Sequence, residues 1–289
     1  MSDENQIKAG EIRPYGKMSV PIMTPQLLSL VKTGKIYSLA QIIEPGIPFW
    51  GGHQPLAMTT LLRHGDNQDF YPTSIANEFL SLPMHGGTHI DALCHIGKFE
   101  KDKVKLYDGV DAEPNQKSFG QGAYGAENFP PLVMRGVMLD IAASKGLTFL
   151  PASYGITSKD IQDCEELQNT RINDNTAVLI RTGYEKFWMV DNTKFSGEAA
   201  GLNLDSAQYI VSKGAAVVGA DNEAVDQIPP IGPGLPVHQY LIVDNGVTHI
   251  EALHLEELAK DKVYEFLFIC LPLRIKGATG SIVHPIAVG

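Results

Sequence analysis

The sequence predicts one α/β domain, and three observations carry that expectation. β-rich runs alternate with helix-like stretches; no Ser/Pro-rich linker divides the 289 residues; and no fixed-period repeat points to a solenoid or propeller. At 44% hydrophobic and 19% charged, a chain of this length buries a full core without disulfides or a structural metal. Residues 1–35 read as a peripheral extension, in which PQLLSLVKTG forms a helix ending at Gly34. From 36 to 289, the strand candidates are YSLAQII, PLVMRGVMLDIA, TAVLIRTG, GAAVVGADN, QYLIVDNG and YEFLFICLPL, punctuated by Gly, Pro and Asn. Between them, ITSKDIQDCEEL opens with Thr157 and Asp160 at capping-box spacing. LDSAQYIVSKG shows helical apolar spacing and a Gly stop directly before the apolar run AAVVGAD.

Composition excludes several function classes. The formal charge of -10 opposes binding to phosphate backbones or anionic lipid, and no local basic cluster offsets it, so neither nucleic acid nor membrane is an expected partner. The longest apolar stretches fall well short of the roughly 20 residues that span a bilayer. Asp3, Glu4, Lys8 and Glu11 stand where a signal peptide has its apolar region, so a cytoplasmic protein is expected. Cys94, Cys164 and Cys270 lack C-x-x-C spacing and read as reduced, buried thiols. GQGAYG at 120–125 matches a dinucleotide fingerprint in letters only. It follows a polar loop and runs into Pro130 and Pro131, which forbid the required helix. Walker, H-E-x-x-H and G-x-S-x-G signatures are absent.

The informative segment is MHGGTHIDALCH, which gathers His85, His89, Asp91 and His95 within eleven residues. Imidazole nitrogen and carboxylate oxygen suit a divalent first-row metal, and three protein ligands leave positions open for water or substrate. In a strand, His89 and Asp91 point to one face, while Gly86 and Gly87 permit a turn that returns His85 beside them. His85, His89 and Asp91 are therefore the candidate ligands. His95 follows Asp91 by four residues and shares its face if ALCH begins a helical turn, which makes it the candidate general acid/base.

A second constellation lies near the C-terminus. GADNEAVDQIPP presents Asp221, Asn222, Glu223 and Asp226 after an apolar strand, either as functional polar groups or as a solvated acidic turn. His238 and Glu251 flank a stretch that reads as strand, Asp-Asn-Gly turn and return, so a hairpin would let them meet. His53, His64, His249, His254 and His284 read as ordinary satisfied or solvated side chains.

HGGTHIDALCH resembles the H-x-G-T-H-x-D-x-x-x-H signature of the cyclase family, which includes bacterial kynurenine formamidase and isatin hydrolase. The resemblance extends through YSLAQIIEPGIPFWGG, VLIRTGYEKFW, VGADNEAVD and PVHQYLIVDNGVTHIEAL. It implies a metal-dependent amidohydrolase on a swivelling β/β/α fold, in a homodimer or homotetramer. His85, His89 and Asp91 would take the core ligand roles and His95 the acid/base role. The metal would be zinc or manganese: two-zinc members complete a second site with a downstream His and Glu, where His238 and Glu251 stand, and isatin-hydrolase-like members use one Mn2+. Where many members carry Asp-x-x-Ser, this chain has Asp221-Asn222-Glu223-Ala224, so that serine is missing.

The expected activity is hydrolysis of an amide or lactam C–N bond in a small-molecule substrate, with Phe49 and Trp50 as an apolar wall for a ring. Lactone or ester hydrolysis, a true cyclisation or dehydration, and a non-catalytic metal-binding relative are the alternatives. The Pro/Gly-rich stretch IPPIGPGLP is expected to pack against a neighbouring subunit.

Overall fold

The computed structural model describes residues 7–289, and its frame is one mixed sheet of nine strands. They are β1 (Ile36–Ser38), β2 (His89–Asp91), β3 (Leu132–Asp140), β4 (Thr176–Arg181), β5 (Ala215–Ala220), β6 (Thr248–Glu251), β7 (Glu265–Cys270), β8 (Gly280–Ile282) and β9 (Ile286–Val288), in the spatial order β1-β9-β7-β3-β4-β5-β6-β2-β8. The central four, β3 to β6, run parallel, and the strands on either side join antiparallel. β4 and β5 are buried along their whole length because side chains cover both faces, which explains their unbroken apolar sequences.

Alternation along the strands divides the core in two. Ala177 and Leu179 enter one hydrophobic cluster with Phe266 and Phe268; Val178 and Ile180 enter the other with Ile161 and Ile210. The second cluster is closed by α1 (Ser158–Gln168) and α2 (Leu204–Ser212). α1 starts with the predicted capping box: Thr157 Oγ1 accepts from Asp160 N, and the Asp160 carboxylate accepts from Thr157 N. Gly136 in β3 has a packing reason, since a Cβ there would lie 2.2 Å from the Phe266 ring.

Three expectations change. QYLIVDNG is not a strand: Gln239–Asp244 is helical and continues the turn Pro236–His238. Leu241, Ile242 and Val243 are all buried, and a short helix apolar on several sides has the same sequence look as a buried strand. PQLLSLVKTG gives only a turn of helix, Pro25–Leu28, which buries no residue and so gains little from packing. The extension before residue 36 also reaches the core, where Tyr15 and Met18 are buried. Tyr15 Oη accepts from Leu93 N at 2.8 Å and donates to the Tyr124 carbonyl at 2.5 Å.

Several short elements lie outside both core clusters, and one of them is apolar at its surface. A two-stranded hairpin, Ala57–Leu62 with Asn77–Ser81, is exposed along nearly its whole length and carries Met58, Leu61, Phe79 and Leu80 at its surface. Among the described residues, no helix is long and apolar enough to cross a membrane.

Candidate metal centre

The centre is built where β2 and β6 pair antiparallel, with Ile90 against Ile250 and His89 against Glu251. Both isoleucines point into the hydrophobic cluster behind the sheet. By strand alternation, His89, Asp91, His249 and Glu251 all stand on the opposite face. The turn before β2, with Gly87 at φ +65°, brings His85 back so that its Nδ1 lies 2.8 Å from Asp91 Oδ1. After β2 the chain turns again, and His95 Nε2 comes to 3.7 Å from Asp91 Oδ2, its ring stacked on His85 at 3.9 Å. The whole predicted quartet is thus one cluster.

His238 joins it from the helical turn rather than across a hairpin. Its Nε2 lies 3.1 Å from Glu251 Oε1 and 3.8 Å from Asp91 Oδ2. Asp226 fixes this ring: Oδ2 accepts from His238 Nδ1 at 2.6 Å, and its two oxygens also accept the backbone N–H groups of Val237 and His238. With the proton held on Nδ1, His238 Nε2 turns a lone pair toward the carboxylates. His89 is set the same way, since Nδ1 donates to the Gly87 carbonyl at 2.9 Å and leaves Nε2 facing Glu251 Oε2 at 3.3 Å.

Several polar atoms here are buried without a hydrogen-bond partner: His89 Nε2, Asp91 Oδ2, Glu251 Oε1 and both ring nitrogens of His249. Leaving one such group unsatisfied costs about 1–3 kcal/mol, so their convergence calls for a common cation. Two overlapping donor sets fit one, His85 with His89 and Asp91, and Asp91 with His238, His249 and Glu251. Asp91 belongs to both. Its Oδ1 faces His85 and His89, its Oδ2 faces His95 and His238.

Without a cation, protons take its place in the electrostatics. Burial pushes the His89 ring down, but Glu251 and Asp91 outweigh it and raise the ring to about 9. Burial pushes the Glu251 carboxyl up, yet His238 and His89 hold it at about 2. His95 goes the other way: burial dominates and lowers it to about 4, so the ring is neutral and can accept a proton. At 27% exposure, its side chain is also more open to solvent than those of His85, His89, Asp91, His238 and Glu251. That is the position a proton-transfer group needs.

The family model described as "Putative cyclase" matches residues 37–227. The chain belongs to the cyclase family. A solved structure of a novel cyclase is 33% identical, superposes with a TM-score of 0.83 and covers 92% of both chains. Cyclase-like protein 3 of Oryza sativa subsp. japonica is 24% identical over 260 residues, which is 88% of this chain and 80% of the relative. An isatin hydrolase bound to the product analogue thioisatinate shares the fold at 20% identity, with a TM-score of 0.65 over 92% of this chain and 98% of its own.

The other candidates of this cyclase-family chain separate clearly. Asp226 supports His238, whereas Asp221 accepts from Thr182 N, Thr182 Oγ1 and Gly183 N and braces the loop after β4. Asn222 bonds the Ala200 carbonyl and Val225 N. Glu223 accepts from Ser196 Oγ at 3.0 Å, and burial pushes its carboxyl up to about 7. Phe49 and Trp50 are about 40% exposed rather than core residues. The Trp50 carbonyl accepts from His53 N, and the His53 ring stands 5.9 Å from His85, so this turn borders the centre. His249, expected to be an ordinary histidine, is instead wholly buried within the cluster. A sequence signal did exist: Thr88-His89-Ile90-Asp91-Ala92-Leu93 recurs as Thr248-His249-Ile250-Glu251-Ala252-Leu253, one letter different.

Proposed function

We propose that the protein is a metal-dependent hydrolase that cleaves an amide or lactam C–N bond of a small molecule. The observation that carries this reading is a solvent-reachable His95, 3.7 Å from Asp91, beside a set of buried, unpartnered ligand atoms. When bound by His85, His89 and Asp91, a manganese or zinc ion supplies Lewis acidity that polarises a carbonyl and acidifies a water. His95 accepts a proton from the attacking water and returns it to the leaving nitrogen, so that one water is consumed and the C–N bond becomes an acid and an amine, two products from an amide and one ring-opened product from a lactam. Asp91 stabilises the imidazolium formed in between. Phe49 and Trp50 supply an apolar border for the substrate's ring, in keeping with the cyclic substrate that an isatin hydrolase takes.

Lactone or ester hydrolysis is the second reading, favoured by the same geometry because an alkoxide leaving group needs the same proton. Both are tested by assaying the purified, metal-loaded protein against an aryl formamide, a fused-ring lactam, a lactone and an aryl ester. Turnover of the amide or lactam, lost on chelation and restored by Mn2+ or Zn2+, is expected. Full turnover in chelated protein would end the metal-dependent reading, and activity confined to the lactone or ester would replace the first by the second. We further propose a dimer or tetramer in a soluble compartment, on the support of the apolar exposed hairpin and of Ile231, 74% exposed in the Pro/Gly-rich loop. Light scattering showing a monomer at micromolar concentration would contradict it.

A further inference from the structure

We propose that His249 is a metal ligand, and that it closes the Asp91–His238–Glu251 position with a fourth protein donor. The inference rests on the metal-dependent reading but goes beyond it, because it gives two ions of one centre different coordination and different work.

Three observations converge. His249 has no solvent exposure and neither ring nitrogen has a partner, although a neutral imidazole has one donor and one acceptor to satisfy. Its ring stands edge-on to His238, with centroids 4.3 Å apart, and its ligating atom lies within 4.8 Å of those of Asp91, His238 and Glu251. Finally, the repeated hexapeptides sit side by side. Because Ile90 pairs with Ile250, a local two-fold axis passes between these isoleucines and exchanges His89 with His249 and Asp91 with Glu251. Whatever places His89 and Asp91 as donors on this face therefore places His249 and Glu251 as donors too.

The consequence follows from ligand count. His85, His89 and Asp91 form a three-donor set, which leaves room for water and a substrate oxygen. Asp91, His238, His249 and Glu251 form a four-donor set, which fills a tetrahedral ion and leaves it no open position. The first position is the one that meets substrate; the second anchors Asp91 and the β2–β6 pair.

Zinc content, cobalt spectra and anomalous diffraction test this together. Wild-type protein loaded with zinc should bind about two ions per chain, and His249→Ala, which keeps three donors at the second position, should hold that second ion at least about 10-fold more weakly in competition with a chelator. Substituting cobalt should give wild type the intense visible bands of a four-coordinate site, whose position His249→Ala should shift, as an imidazole donor is replaced by water, while His85→Ala keeps them. Anomalous diffraction from zinc-loaded wild-type crystals, which needs no variant to fold, should show a peak about 2.0–2.1 Å from a His249 ring nitrogen. Two ions with no peak at His249, or unchanged zinc affinity and cobalt spectrum in folded His249→Ala, would overturn the inference and leave the hydrolase reading standing. A wild type that binds no zinc would overturn both.

Discussion

Residues 85–95 deliver four side chains of the centre from one short strand and its two flanking turns, whereas Asp226, His238, His249 and Glu251 arrive from a loop, a helical turn and a strand. The first region is held by local geometry, and its members reach one another across at most ten residues. The second is held by the sheet: β6 must lie beside β2, and Asp226 must catch the helical turn, before its side chains face the cluster at all. The difference teaches where robustness lies. A local change in the first region should remove chemistry, and one in the second should loosen the grip on the ion.

Substitutions can break this contrast. The largest effect is expected from Asp91→Asn, because its two oxygens serve both donor sets; bound metal should fall to trace levels by elemental analysis, and turnover by about 10³-fold or more. His95→Ala should keep metal content and fold while turnover drops about 10²–10⁴-fold, with partial rescue by added imidazole. Loss of metal in that variant would make His95 a ligand and overturn its role. Asp226→Asn should leave turnover at saturating metal nearly unchanged but weaken metal affinity about 10–100-fold, read by competition with a chromophoric chelator. If Asp226→Asn instead behaved like His95→Ala, the two regions would not differ in kind.

Two milder changes sharpen the comparison by touching only support. Tyr15→Phe removes the hydroxyl that takes the Leu93 N–H, leaving a buried donor unpaired behind the first region. It should cost about 1–3 kcal/mol in denaturant unfolding with metal stoichiometry unchanged. Asp160 is remote from both regions. Burial pushes its carboxyl up, but Lys145, Thr157 and Tyr154 outweigh burial and hold it below the usual carboxylate range. Its contribution is therefore present above the unfolded-state value and lost as pH falls through the folded one. Because Asp160 is only 8% exposed and its carboxylate accepts from Lys145, Tyr154 and Thr157, Asp160→Asn should cost about 1 kcal/mol near neutral pH, with the difference from wild type shrinking in acid.

Sequence reasoning reached the first region for a physical reason. Strand alternation and glycine turns act over a few residues, so H-G-G-T-H-I-D specifies its own local geometry. The capping box at Thr157 and the apolar strands of the parallel centre were legible on the same ground. The second region was legible only in part: His238 and Glu251 entered through the turn between them and the family resemblance, while Asp226 and His249 carried no such local pattern. Asp226 could not be told from a solvated turn until the His238 ring was seen above it. His249 looked ordinary because its meaning depends on which strand lies alongside. The run QYLIVDNG misled because burial on several sides removes the periodicity that separates helix from strand.

The recurrence of the hexapeptide has one more consequence, and it concerns its end. After Ala92-Leu93 one extra residue, Cys94, comes before His95, whereas after Ala252-Leu253 the next residue is already His254. The longer copy swings its histidine onto Asp91; the shorter one sends its histidine away to pair with Glu185. Two nearly equal halves of a centre thus become unequal through a single inserted residue. The difference in donor count has a companion in the chain itself: one tail is a residue longer, and that tail sets its histidine beside the shared carboxylate.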